Sequence, residues 1–213
     1  MSYLNNKVVA EWKEVVASIR RLLSVRPNPV VVALDGGTGA GKSTLASLLE
    51  NEIDTAVIPL DDFFSAEIPD SQWDNFTLDE RLNHVFDLRR LRRDAIEPLL
   101  SGRPAKWRAF DFQSGLRPDG TYRMKIESTE RMPATVILID GAYSAHPDLA
   151  DLIDLSILIE VPVEERHARL AAREDSNFLT TWHQRWDPVE WYYFNEVRPR
   201  SSFDLVVKGV SRA

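Results

Sequence analysis

A glycine-rich segment near the start of the chain constrains the fold more than any other feature. Residues 36–43 read Gly-Gly-Thr-Gly-Ala-Gly-Lys-Ser and satisfy the pattern G-x-x-x-x-G-K-[ST]. An apolar run, Val30–Leu34, precedes this segment, and a helical pattern, Ser43–Ile53, follows it. A plain glycine-rich turn rarely stands between a buried strand and a helix, whereas a phosphate-binding loop requires that order. The segment therefore predicts a P-loop within an α/β domain.

Each residue type in this loop suits a phosphate ligand. Glycine lets successive backbone N–H groups curl around phosphate oxygens, and the following helix N-terminus adds N–H groups and partial positive charge. Lys42 adds a full charge near the terminal phosphates, and the Ser43 hydroxyl is suited to ligate Mg²⁺. Thr44 either contacts the α-phosphate or only starts the helix. The predicted nucleotide site comprises Gly36, Gly37, Thr38, Gly39, Ala40, Gly41, Lys42, Ser43 and Thr44.

Strand and helix patterns alternate along the rest of the chain. The apolar runs typical of parallel strands covered on both faces are Val30–Leu34, Ala56–Leu60, Val136–Ile139, Leu155–Val161 and Asp204–Val207. The helical patterns lie at Ser43–Ile53, Leu88–Leu100, Val163–Arg173 and Val189–Val197. Such alternation implies right-handed crossovers. We predict a doubly wound, five-stranded parallel sheet with flanking helices, the architecture of P-loop NTPases.

Two further segments depart from this alternation. Trp107–Phe112 and Tyr122–Ile126 are rich in aromatic and branched residues, and a turn sequence at residues 116–120 separates them. They predict an inserted antiparallel β-hairpin.

The amino-terminal segment has apolar residues at helical spacing, namely Val8, Val9, Trp12, Val15, Val16, Ile19, Leu22 and Leu23. We predict an amphipathic helix in residues 1–29 that packs on the core, followed by one P-loop kinase domain in residues 30–213. In the alternative, the helix docks on a second subunit and the protein is a homodimer.

Composition argues against several classes of protein. The chain has no cysteine, so it cannot form a disulfide or a thiolate metal site, and its four histidines show no metal-binding spacing. The net charge of −7 argues against nucleic-acid binding, and the arginines of residues 89–93 are expected on a solvated helix face. Because the sequence shows no secretory signal and no long apolar run, we predict a cytoplasmic protein without a membrane partner.

The segment after the second predicted strand resembles a known family. Pro59-Leu60-Asp61-Asp62-Phe63-Phe64 is similar to the acidic and aromatic segment of the uridine kinase, phosphoribulokinase and nicotinamide riboside kinase family. The resemblance implies that Asp61, rather than Asp62, acts as the base toward an acceptor hydroxyl. A carboxylate at this edge of a doubly wound sheet can also hold Mg²⁺ through water. The alternative is that both residues cap a turn.

The third predicted strand ends in Leu138-Ile139-Asp140-Gly141, which resembles the family's second acidic segment. The same residues fit the general Walker B pattern, in which the carboxylate supports Mg²⁺. Many family members have Glu here, so Asp140 has a shorter reach. We predict Ser43, Asp61 and Asp140 as the metal-binding residues, and a helix-capping role for Asp140 is the alternative.

The predicted helix after the fourth strand resembles the family's lid helix. Spacings of three and four place Arg166, Arg169 and Arg173 on one helical face. Guanidinium groups match phosphate oxygens, so we predict that Arg169 contacts the nucleotide and that Arg173 stabilises the transferring group. A salt-bridged surface with Glu165 and Glu174 as partners is the alternative.

Together these features predict an ATP- and Mg²⁺-dependent kinase of adenylate-kinase-like architecture that acts on a hydroxyl of a small metabolite. Lys42 and the lid arginines would stabilise the transferring γ-phosphoryl group, and Asp61 would direct the hydroxyl. The alternative, from another class, is a regulatory ATPase switch that acts through a protein partner.

We predict that neither uridine nor cytidine is the preferred acceptor. Uridine kinases hold the base with the Tyr and His of a Tyr-Asp-Phe-x-x-His segment, whereas this chain has Phe110-Asp111-Phe112-Gln113-Ser114-Gly115. An ungapped match places Arg81 where that enzyme type has a ribose-binding Asp, and a small gap would place Asp79 there. Arg81 in the pocket would favour an acceptor with a carboxylate or phosphate. The aromatic residues near the carboxyl terminus either line the acceptor pocket or, as is more usual at helical spacing, belong to the core; they are Trp182, Trp186, Trp191, Tyr192, Tyr193 and Phe194.

Overall fold

The computed structural model describes residues 2–209, apart from the side chains of residues 2–11 and Asn177. The strands in this range are β1 Val30–Asp35, β2 Thr55–Pro59, β3 Ala105–Phe110, β4 Met124–Arg131, β5 Val136–Asp140, β6 Leu155–Glu160 and β7 Leu205–Lys208. Five of them form one parallel sheet in the order β2-β5-β1-β6-β7. The predicted parallel sheet is therefore confirmed, and each of its strand boundaries lies within one residue of the prediction.

The sheet order places the ends of three strands side by side. β1 and β5 are buried along their whole length, as strands covered on both faces must be. In the register of the sheet, Leu34 pairs with Asp140, and Asp140 pairs with Pro59. Because parallel strands end at the same edge, the segments that follow β1, β2 and β5 meet there.

The helical segments are α1 Ser2–Val25, α2 Lys42–Glu52, α3 Leu78–His84, α4 Leu88–Leu91, α5 Glu97–Leu100, α6 Val163–Ala171 and α7 Ser176–Tyr192. The predicted helix over Leu88–Leu100 is divided into α4 and α5 by a π-helical segment, Arg92–Ile96. No helix in the described part of the chain is both long and apolar enough to cross a membrane.

The start of the last helix was predicted wrongly. The pattern placed it at Val189, but α7 begins at Ser176 and continues through Pro188. Proline is uncommon inside a helix because it removes a hydrogen bond and crowds the preceding turn. The helix then ends in a π-helical turn, Tyr193–Val197.

β3 and β4 form a separate, antiparallel two-stranded sheet. Both strands overlap the predicted ones but have shifted bounds, because β3 begins two residues earlier, at Ala105, and β4 begins two residues later, at Met124, and extends to Arg131. The register shifts between Arg108 and Phe110, as at a β-bulge.

Helix α1 packs against the core through Val15, Val16 and Ile19, all of which are buried. These side chains belong to the same apolar cluster as Val30, Val32 and other residues on one face of the main sheet. Val8 and Val9, which were also assigned to the apolar face of this helix, have side chains outside the described residues.

Candidate active site

Residues 36–41 connect β1 to α2 and bring the backbone close to neighbouring segments. Gly39 has a φ angle of 84°, and a Cβ atom there would lie 2.9 Å from the carbonyl oxygen of Arg166. A Cβ atom at Gly36 would lie 2.6 Å from the carbonyl oxygen of Ile159. Both positions therefore require glycine. α2 begins at Lys42, so the loop leads into the free N–H groups of a helix N-terminus.

The side chain of Lys42 folds back onto this loop. Its Nζ atom donates hydrogen bonds to the carbonyl oxygens of Gly36, at 2.7 Å, and Gly37, at 3.1 Å. Only 9% of the residue is exposed, so its positive charge sits in a largely desolvated position. Charge in such a position acts more strongly on its neighbours than it would in water.

Asp61 and Asp140 lie at the ends of two adjacent strands. Asp61 is in the 3-10 turn Leu60–Phe63 that follows β2, and Asp140 is the last residue of β5. Asp61 is accessible to solvent, but the protein around it desolvates the carboxyl group and raises its pKa. The positive charge of Lys42 opposes this rise, and the negative charges of Asp140 and Asp62 add to it.

The carboxyl group of Asp140 is buried and incompletely hydrogen-bonded. Burial raises its pKa, whereas the charge of Lys42 and a hydrogen bond from Ser43 lower it. Among the described residues, its Oδ1 atom has no hydrogen-bond partner. A buried carboxylate oxygen near a serine hydroxyl is the kind of ligand that Mg²⁺ prefers. The residues present therefore fit the predicted cation.

Asp62 has a different environment from Asp61. The Asp62 carboxylate accepts a hydrogen bond of 2.8 Å from the indole N–H of Trp107. Its backbone carbonyl accepts a second bond, of 2.9 Å, from Arg90. Asp62 therefore connects the turn after β2 to β3, while the Asp61 carboxylate has no hydrogen-bond or ion-pair partner among the described residues.

The structure places the three predicted lid arginines in three different environments. Arg166 Nη1 donates to the carbonyl oxygen of Thr38 at 3.0 Å, and Arg169 Nη1 donates to that of Gly39 at 3.0 Å. Arg169 also pairs with Glu165, at 2.6 Å. Arg173 is exposed and lies beyond the end of α6, so the prediction that it continues the helical face is wrong. Two of the three arginines therefore contact the phosphate loop itself.

A cavity of about 450 Å³ adjoins Phe64, in the segment that contains Asp61. Its polar lining residues include Asp70, Asp111 and Arg185. Arg185 is bound by Asp70 at 2.7 Å and by Asp74 at 2.9 Å. The aromatic residues that line the cavity are Phe64, Phe110, Phe112, Tyr122, Phe178, Trp182 and Trp186.

Known proteins with similar sequences are uridine kinases, although no protein-family model matches the chain. The chain is 27% identical over 148 residues to the uridine kinase of Halobacterium salinarum, an alignment that covers 67% of this chain and 61% of that protein. It is 23% identical over 202 residues to the uridine kinase of Streptococcus agalactiae, which covers 88% of this chain and 90% of that protein.

Two solved structures share the fold of this chain. A protein described as a possible uridine kinase from Bacillus stearothermophilus superposes with a TM-score of 0.63 at 16% identity, covering 89% of this chain and 99% of that one. A protein proposed to be a fructose transport system kinase from Silicibacter has a TM-score of 0.63 at 22% identity. The superposition covers 92% of this chain and 98% of that one. The chain is uridine kinase-like in sequence and in fold. This confirms the resemblance drawn from its motifs.

Asp35, the last residue of β1, anchors the phosphate loop. Sequence reasoning did not identify this residue. Its buried carboxylate accepts hydrogen bonds from the backbone N–H groups of Gly36, Tyr143 and Ala145 and from the hydroxyl of Tyr193, at 2.7–2.9 Å. Burial raises its pKa, and these hydrogen bonds and Lys42 oppose the rise. An acidic residue at the end of an otherwise apolar run was the available signal.

Glu190 is a second residue that sequence reasoning missed. From α7 it accepts a hydrogen bond of 2.9 Å from the backbone N–H of Thr38. It also pairs with Arg166 at 2.5 Å. No local pattern distinguishes this glutamate, because its partners lie far away in the sequence.

Arg81 does not line the cavity. Its Nε atom donates to the carbonyl oxygen of Trp73 at 2.8 Å, and its Nη1 atom donates to that of Arg185 at 3.0 Å. Arg81 would favour an anionic acceptor only if it faced the pocket, and this condition is not met. Asp79, the gapped alternative, accepts hydrogen bonds from Asn83 and Tyr192.

Proposed function

We propose that the protein is an ATP- and Mg²⁺-dependent kinase that transfers the γ-phosphoryl group to a hydroxyl of a small metabolite. One observation carries this proposal: Asp61 and Asp140 lie at adjacent strand ends, both within the electrostatic influence of Lys42 at the phosphate loop. A hydrolytic switch needs the loop and a cation site, but it has no need of a further free carboxylate three residues before Phe64, which lines the aromatic cavity. The similarity to uridine kinases supports the same class of reaction.

The nucleotide would be held by the loop residues Gly36 to Thr44, with Lys42 beside the terminal phosphates. Lys42 now bonds to two loop carbonyl oxygens, and it would exchange these for phosphate oxygens. Ser43 and Asp140 would hold Mg²⁺, with Asp61 through water. When bound, the cation supplies charge neutralisation at the phosphates.

Asp61 would orient and deprotonate the acceptor hydroxyl. Its raised pKa supports this role, because a base works best when its pKa approaches the working pH. Its freedom from hydrogen bonds within the described chain leaves both oxygens for a ligand. Asp62 lacks that freedom because it is bound to Trp107.

We propose that Arg169 contacts the nucleotide and that Arg173 approaches the transferring group. Arg169 already lies at Gly39 of the loop, which supports the first assignment. For Arg173, the exposed position in the turn after α6 leaves the guanidinium able to move, which supports the second. Arg166 has a structural role instead, since it is buried and paired with Glu190.

The aromatic cavity is the proposed acceptor site. The relatives are named for uridine, yet the positions where the resemblance places the base-binding Tyr and His carry Phe110 and Gly115 here, and both line the cavity. A polar ligand edge facing these residues would lose its hydrogen bonds. We therefore propose an acceptor whose ring or apolar group stacks on aromatic side chains and whose hydroxyl reaches Asp61.

The remaining assignments follow from the reaction. ATP and small metabolites are available in the cytoplasm, so we propose a cytoplasmic enzyme with no nucleic-acid or membrane partner. A homodimer remains a prediction, to be checked by sedimentation or light scattering.

The decisive experiment measures ATP turnover with Mg²⁺ in the presence of a panel of nucleosides, sugars, sugar acids and vitamins. A kinase is stimulated by its acceptor, and mass spectrometry identifies a product heavier by one phosphoryl group. The matched control is Lys42→Ala, which should form no product. Slow ATP hydrolysis that no acceptor stimulates would favour the regulatory switch instead.

A further inference from the structure

Three side chains that could ligate a metal ion meet between α6 and α7. His183 and Asp187 are four residues apart on α7 and share one helical face. His167 of α6 lies against the same carboxylate. Its Nε2 atom is 3.2 Å from Asp187 Oδ2, and His183 Nδ1 is 3.0 Å from Asp187 Oδ1. The two imidazole ring centroids are 4.0 Å apart.

These distances suit a small transition-metal ion. One potential ligand atom from each of the three residues lies within 4.8 Å of the other two. Zinc holds nitrogen and oxygen ligands at about 2.0–2.2 Å, which places neighbouring ligand atoms of a tetrahedral site roughly 3.3–3.5 Å apart. Small rotations of these partly buried side chains would produce that spacing. Two imidazoles with one carboxylate are also a common donor set for first-row transition metals.

We propose that His167, His183 and Asp187 form a binding site for a divalent transition-metal cation of the Zn²⁺ class. The site is separate from the proposed Mg²⁺ site, because it shares no residue with Ser43, Asp61 or Asp140. Imidazole nitrogen selects against Mg²⁺, which prefers oxygen ligands. The proposal does not depend on the kinase function.

A cation at this site would join α6 to α7 beside the phosphate loop. His167 directly follows Arg166 in α6, and Asp187 lies one helical turn before Glu190 in α7. Arg166 and Glu190 form the ion pair that contacts Thr38. The metal therefore holds together the two helices whose side chains position the loop, and we expect it to stabilise the folded protein.

The test uses tag-free full-length protein, stripped with EDTA and kept in excess Mg²⁺ so that the nucleotide-site ligands are occupied. Co²⁺ is titrated and its visible absorption bands are recorded, followed by displacement with Zn²⁺. Wild type should bind one equivalent. His167→Gln and His183→Gln should each weaken binding by at least about tenfold, since even the loss of an outer-shell partner commonly costs 10–100-fold.

Two controls make the result specific. His84→Gln changes an exposed histidine outside the cluster and should bind Co²⁺ like wild type. Zn²⁺ should raise the Tm of wild type and His84→Gln equally, and should raise that of His183→Gln by clearly less at the same concentration. No Co²⁺ spectrum in folded wild type would overturn the proposal and leave a purely hydrogen-bonded His–Asp cluster. Equal binding by wild type and both cluster variants, or loss of binding in Asp140→Asn alone, would also overturn it.

Discussion

Arg166 and Glu190 form an ion pair of 2.5 Å that brackets one residue of the phosphate loop. Arg166 donates to the carbonyl oxygen of Thr38, and Glu190 accepts from the N–H group of the same residue. The two side chains come from α6 and α7, and at most 13% of either is exposed. Two helices that lie far from the loop in the sequence therefore hold the backbone of Thr38 in the absence of any ligand.

Glu190→Ala should destabilise the protein strongly. It leaves the buried Arg166 without a counter-charge, and breaking a buried pair in this way typically costs about 3–5 kcal/mol. The free energy of unfolding is measured by urea denaturation. The control is Glu160→Ala, whose pair with Arg200 is largely exposed and should contribute no more than about 1 kcal/mol. Equal losses in the two variants would contradict the buried-pair interpretation.

Lys42→Ala should abolish phosphoryl transfer, because the charge that serves the phosphates is lost. The ammonium group is largely buried and makes two hydrogen bonds to the loop, so we also expect a loss of about 1–3 kcal/mol in the free energy of unfolding. Product formation and urea denaturation are the measurements, with exposed Lys106→Ala as control. Near wild-type turnover in Lys42→Ala would refute the kinase assignment.

Asp61→Asn and Asp62→Asn should separate the two neighbouring carboxylates. Asp61→Asn should retain nucleotide binding and lower kcat by about 10²-fold or more, since the amide cannot accept the proton. Asp62→Asn should mainly lower stability through its contact with Trp107. Kinetics and Tm are compared for both variants. If Asp62→Asn lost its activity and Asp61→Asn kept it, Asp62 would be the base.

Asp140→Asn should stabilise the ligand-free protein at neutral pH while impairing Mg²⁺-dependent turnover. The pKa of Asp140 is raised above its ordinary 3.8 by burial, so the folded state binds this proton more tightly than the unfolded state. The stability that protonated Asp140 contributes is fully present at pH values below its ordinary pKa. It is lost as the pH rises through the pKa of Asp140 in the folded state. The gain in Tm should therefore shrink as the pH falls toward about 4.

A carboxyl group whose pKa is shifted in the opposite direction serves as the control. The pKa of Asp151 is lowered by its hydrogen bond with Arg92, so Asp151→Asn should lose stability at neutral pH and not at acidic pH. If Asp140→Asn behaves like Asp151→Asn, the Asp140 carboxylate is stabilised by contacts that outweigh its burial.

Uridine should not be the preferred acceptor, because Phe110 and Gly115 offer no side-chain hydrogen bond to a pyrimidine base. Each buried ligand group left unpaired would cost roughly 1–3 kcal/mol in transition-state binding. The measurement is kcat/KM for uridine, cytidine and non-nucleoside acceptors under the same conditions. A higher value for uridine than for every non-nucleoside would contradict this prediction.

Local patterns in the sequence were sufficient to predict the main parallel sheet and the phosphate loop. Apolar runs identified all five strands of the main sheet, because strands covered on both faces are almost entirely apolar. The glycine pattern identified the loop, since glycine is needed where backbones approach closely. Asp61 and Asp140 were found through the resemblance of their segments to those of a known family. Their proximity could be expected as well, because parallel strands end at one edge of the sheet.

Side-chain partners far apart in the sequence were decided only by the tertiary structure. The sequence could not show that Glu190 holds Thr38, that Arg81 turns toward the carbonyl of Arg185, or that His167 lies against Asp187. Each contact depends on how two elements pack, and packing depends on the shapes and volumes of many side chains together. Periodicity reports which face of a helix is buried, but it does not report which residue that face meets.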